Sequence, residues 1–97
     1  MTPHTETEKL VYSELTKLLS QVSQPVEISN GVWFISGSGN FSSIRNTYTE
    51  ANNVRLNFIR AHLSAKLGIP GQIPELKKNR GPWQLYRKAV EILEAQK

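Results

Sequence analysis

The stretch Val26-Glu27-Ile28-Ser29-Asn30-Gly31-Val32-Trp33-Phe34-Ile35-Ser36 decides the fold class. Two β-prone runs flank Asn30-Gly31, and Asn-Gly is a preferred two-residue hairpin turn because both residues tolerate positive φ. In that register Ile28 opposes Trp33 and Val26 opposes Ile35, so these four share one face and are expected in the core. The other face carries Glu27, Ser29, Val32 and Phe34. Val32 and Phe34 are then either covered by another element or free to meet a partner.

Helices are signalled on both sides of the hairpin. Upstream, Thr5 and Glu8 have the Thr-x-x-Glu spacing of a capping box, in which each side chain satisfies an unpaired N–H of the first turn. Val11, Leu15, Leu18, Leu19 and Val22 follow at helical spacing, opposite Lys9, Ser13, Thr16 and Ser20, which predicts one apolar stripe on a core. Pro25 should stop this helix at about Gln24, since proline disfavours the α region for the residue before it. Residues 1–4 are expected to be disordered.

Downstream, Gly37-Ser38-Gly39-Asn40 reads as a turn or loop. Residues 41–45 fit a third strand, a helical turn or irregular chain; the third strand is the reading adopted. Thr47 and Glu50 form a second capping-box pair opening a long helix that should run to Leu67 and end at Gly68. Its pattern is two-sided: Ala51, Val54, Phe58, Ala61 and Ala65 fall on one face and Leu56, Ile59, Leu63 and Leu67 nearly opposite. Such a helix either lies between layers of its own domain or turns one stripe to another chain, and Leu56, Ile59, Leu63 and Leu67 are the candidate stripe for a homodimer. A Gly- and Pro-rich loop over 68–74 leads to Glu75-Leu76-Lys77-Lys78-Asn79-Arg80, a short turn of helix at most. A last helix starts at Pro82, with Leu85, Tyr86, Ala89, Val90, Ile92 and Leu93 on its apolar side. The expected whole is one α+β domain spanning residues 1–97: helix, hairpin with a third strand, long central helix, basic loop, final helix.

A chain of 97 residues can bury one modest core, and with no cysteine its stability comes from packing rather than disulfides. The absence of a long apolar run and of a signal-peptide pattern leads to the expectation of a cytoplasmic protein with no membrane partner. Charge is uneven: residues 1–40 carry a net −2 and residues 41–97 a net +6. That asymmetry favours an anionic partner for the second part.

Catalytic patterns are missing. There is no aspartate, and the histidines are only His4 and His62, so neither a two-carboxylate site nor a metal site is expected. Gly37-Ser38-Gly39 begins like a GxGxxG loop, but Ser42 stands at the third glycine position and no βαβ unit surrounds it. Neither a Gly-Lys-Ser/Thr triplet nor a GxSxG elbow occurs. The chain is therefore read as a non-enzyme without cofactor.

Two segments point to nucleic acid. Gly68-Ile69-Pro70-Gly71 resembles in its glycine spacing the GxxG loop with which KH modules clamp a backbone, although Ile69 and Pro70 replace the usual basic or small polar residues and a helix replaces the strands that should follow. The succession from Asn52 to Lys78 loosely resembles a helix-turn-helix, but Pro74 and Gly81 leave the second helix too short to lie in a major groove. No family is assigned on either. The basic segment itself remains: Lys77, Lys78 and Arg80, then Trp83, Tyr86, Arg87 and Lys88, a mixture of cations and aromatics suited to phosphate contact and stacking. The expectation is a small DNA-binding or regulatory protein that contacts phosphates through Lys77, Lys78, Arg80, Arg87, Lys88 and Arg45. The alternative is a protein-interaction factor, adaptor or inhibitor, using Val32, Phe34 and the Leu56, Ile59, Leu63, Leu67 stripe.

Overall fold

A computed structural model describes residues 4–37, 42–75 and 81–96. The order is α1 (Glu6–Gln21), β1 (Val26–Ser29), β2 (Val32–Ser36), β3 (Ser42–Arg45), α2 (Tyr48–Lys66) and α3 (Pro82–Ala95). The three strands form one antiparallel sheet in the order β1-β2-β3, so the third strand and the α+β class follow the sequence expectation.

Local chemistry explains the boundaries. The capping box is complete at α1: Glu8 N–H donates to Thr5 Oγ1 and Thr5 N–H to Glu8 Oε1. The Thr5 N–H, first among the causes, and the His4 N–H, which also donates to Glu8 Oε1, hold the Glu8 carboxyl below its ordinary range. The helix ends at Gln21, three residues short of the expected Gln24. Val22 is already extended, and Ser23 is tied to the end of β2 through its N–H to Ser36 O and its Oγ to Ser36 N–H. At the start of α2, Thr47 Oγ1 accepts from Glu50 N–H. Its end is a Schellman turn: Gly68 at φ +76° donates to Ala65 O, Ile69 donates to Ser64 O, and Ile69 drops into the core beside Leu63.

The main core joins α1 and α3 to the second half of α2, through Val11, Leu15, Leu18, Ile59, Leu63, Leu85 and Ala89. Ile69 and Ile73 fill it from the loop after α2, and Arg60 Nη1 fastens that loop by donating to Ile73 O at 2.8 Å. The sheet lies against the first half of α2, which gives the molecule a long dimension of 48 Å.

Two expectations are overturned. The hairpin keeps its Asn30-Gly31 turn, with Ser29 opposite Val32, but a bulge between Glu27 and Ser29 puts Glu27 opposite Trp33 and Val26 opposite Phe34. The bulge lets Glu27 Oε2 accept from Gly31 N–H across the turn. Ile35 is fully buried as expected, whereas Val26 and Ile28 are 54% and 55% exposed. The second correction concerns α2. Leu56, Ile59 and Leu63 are closed into the domain and Leu67 is half-buried against the same core, so this stripe offers no dimer surface. Its neighbours α1, α3 and the 68–73 loop occupy the space a partner would need, while Ala61 and Ala65 face solvent.

Candidate interaction surface

The surface is built by alternation along β2. Successive side chains point to opposite faces of a sheet, so Trp33 and Ile35 share one side and Val32, Phe34 and Ser36 the other. Trp33 and Ile35 face inward: Ile35 is fully buried, and the Trp33 ring meets Tyr48 of α2 edge-on, 5.3 Å between centroids. Cross-strand pairing then assigns the neighbours. Phe34 stands between Val26 of β1 and Ile44 of β3, and Ser36 opposite Ser42. The outer face is therefore Val26, Val32, Phe34 and Ile44, with Ser29 at one end and Ser36 and Ser42 at the other.

This face is apolar, carries no charged side chain, and no described helix lies on it. Ile44 is 56% exposed and Val26 nearly as much, while Phe34 on the middle strand between them is half-buried. Ile28, left without a cross-strand partner by the bulge, is itself 55% exposed. Val32 and Phe34 were legible as surface candidates. Val26 was missed because an unbulged register turns it to the core; Ile44 was missed although its alternation with Ser43 and Arg45 already marks it as lying opposite Ser43.

The cations do not form a comparable surface. Lys77, Lys78 and Arg80 lie outside the described residues. Arg45 is on β3 and Arg87 and Lys88 are on α3, two elements that do not touch. Lys88 pairs with Glu91 at 3.7 Å, and Arg45 Nη1 folds back onto Ile44 O. Two further cations of the basic half serve the fold: Arg60 holds the Ile73 carbonyl, and Arg55, 4% exposed, donates to Val22 O and Leu19 O. Burial pushes the Arg55 guanidinium down from its usual range.

In the Gly68-Ile69-Pro70-Gly71 segment Ile69 is buried and its N–H is spent on the end of α2, donating to Ser64 O. Tyr86 belongs to the core, and Trp83, 39% exposed, stacks on Tyr12 of α1 with centroids 6.0 Å apart. His62 lies on the α2 surface, its Nδ1 3.0 Å from Phe58 O and its ring against the Phe58 ring. Among the described residues no cluster of His, Cys, Asp or Glu could hold a metal, and no helix is long and apolar enough to cross a membrane. No protein-family model matches the chain, and no curated protein or solved structure matches it either.

Proposed function

We propose that this is a non-enzymatic protein-interaction module whose docking surface is the outer face of the three-stranded sheet. One observation carries the reading: Val26, Phe34 and Ile44 align across all three strands on a side that no described element covers. Contiguous exposed apolar area of this kind marks interaction sites, because leaving it in water forgoes the free energy that its burial would contribute. The nucleic-acid reading finds no such concentration, as the described cations are dispersed, paired or committed to carbonyls.

The test uses the full chain as wild type and as Ile44→Asp and Val26→Asp. A partner captured by the wild type is purified and recombined with all three proteins. The reading requires a stoichiometric complex with the wild type that both variants lose while keeping the wild-type melting temperature. Salt-sensitive retardation of DNA or RNA by wild type and variants alike, abolished when Lys77, Lys78 and Arg80 are replaced by alanine, would overturn it in favour of phosphate binding.

A further inference from the structure

We infer that the occupant of the outer sheet face is an amphipathic α-helix of about three turns, belonging to another protein and presenting an uncharged apolar stripe. This rests on the interaction reading above.

The edges of the sheet argue against an added strand. Strand addition needs a long regular edge whose N–H and C=O groups point outward in register. β1 is four residues long, is preceded by Pro25 and is broken by the bulge between Glu27 and Ser29. β3, also four residues long, carries the Arg45 guanidinium folded onto its own backbone at Ile44 O, 2.8 Å away. Short, bulged and charge-bearing edges are the devices that discourage pairing. The face is what remains.

Its size selects among occupants of a face. Five residues of β2 and three strands give a footprint of roughly 16 by 14 Å from standard strand spacings. A stable interface between two folded proteins takes about 800 Å² from each partner, several times this footprint, so the face by itself suits a weak, peptide-sized occupant rather than the broad surface of a second folded copy. An α-helix about 10 Å across and about eleven residues long spans it. The opposite face of the same sheet already accepts a helix: α2 lies on β2 and β3, with Ile35 fully buried on that side. A second helix outside would complete a helix, sheet, helix sandwich with both apolar faces covered. Since Val26, Val32, Phe34, Ile44 and the flanking serines offer no charge, a charged group in the helix stripe would be desolvated without a partner, and the stripe must be apolar.

The probe is a designed amphipathic peptide of fourteen residues with leucines at i, i+3, i+4 and i+7 on a Lys/Glu background, beside a twin with proline at its centre. Each is titrated at millimolar concentration into methyl-labelled full-length protein. The expected result is chemical-shift change concentrated on the Val26, Val32 and Ile44 methyls, a gain of peptide helicity, and at least roughly tenfold weaker binding of the proline twin, whose helix is broken. The Ile44→Asp variant should lose the interaction. Equal binding of the twin would overturn the helix in favour of an extended partner. Concentration-dependent broadening of the same methyls with no peptide present, accompanied by sedimentation as a dimer, would replace it with a second copy. No shift at any of these methyls would overturn it as well. If a reconstituted partner still depends on Ile44 in the last case, the interaction reading stands and only the helical occupant falls; if no partner depends on Ile44, both fall.

Discussion

Arg55 donates both Nε and Nη2 to the carbonyl oxygen of Val22, each at 3.3 Å, and Nη2 also reaches Leu19 O at 3.4 Å. Helix α1 has no basic residue in its last turn, and its final carbonyls carry the negative end of the helix dipole. A cation from α2 supplies what α1 lacks and docks the two helices at the point where the chain turns into the sheet.

Replacing Arg55 should therefore cost more than a surface arginine would. Arg55→Met keeps the apolar stem but leaves buried carbonyls without donors, and a loss of roughly 1–3 kcal/mol is expected. In a domain of this size each kcal/mol corresponds to a melting-point drop of about 4–8 °C. Arg55→Lys should recover only part of the loss, because a single ammonium does not reproduce the fork that reaches Val22 and Leu19 together. A thermal melt of the three proteins decides it.

The same residue shows where a reading from sequence stops. Caps, the Asn30-Gly31 turn and the Gly68 stop involve residues a few positions apart, so their chemistry is visible locally, and the element order came out as expected. Arg55 and Val22 are 33 positions apart, and nothing in the pattern distinguishes this arginine from those on the surface. It entered the net +6 of the second part of the chain while its charge was committed inside. The bulge escaped for a related reason: alternation of apolar residues assumes one residue opposite one, and the Glu27 carboxylate reaching Gly31 N–H breaks that count. The two-sided pattern of α2 left its use open because helical spacing cannot say whether α1, α3 and the following loop will close over Leu56, Ile59 and Leu63.

Gly68 isolates a backbone effect. A Cβ built there meets nothing within 4 Å, yet φ is +76°. Gly68→Ala should cost about 1–2 kcal/mol from the left-handed conformation alone. Because the Schellman turn sets the path of Ile69 into the core, hydrogen exchange at Ile69 N–H should quicken in this variant before that of the α1 core amides.

The Tyr86 hydroxyl is buried with no hydrogen-bond partner among the described residues, and burial, with the nearby Glu8 carboxylate second, raises its pKa above the ordinary phenol range. In the folded protein the neutral phenol persists to higher pH than in the unfolded chain. Stability is thus unaffected below the unfolded value of about 10 and falls as pH rises past it, since only the unfolded state releases its proton there. Tyr86→Phe removes both the unpaired hydroxyl and this titration. Stability near neutral pH should be unchanged or higher by up to about 1 kcal/mol, and the alkaline decline measured by denaturant unfolding should become shallower.

The two faces of the sheet, and the leucine stripe of α2, predict opposite responses to comparable changes. Ile35 is fully buried and Ile44 is 56% exposed, although both are isoleucines on adjacent strands. Ile35→Ala should remove about 2–5 kcal/mol, since the lost side chain leaves a cavity beneath α2. Ile44→Ala should stay within about 0.5 kcal/mol, as expected for a site that water already reaches. Leu63→Glu discriminates in the same way between a core stripe and a dimer seam. A seam would yield a folded monomer, whereas Leu63 is fully buried among α1, α3 and Ile69, where an unpaired carboxylate has neither water nor a cation assigned to it. The expected outcome is a chain that fails to fold, read as loss of a cooperative thermal transition. A Leu63→Glu protein that melted like the wild type would require the α2 stripe to be solvent-facing, and with it a different arrangement of α1 and α3.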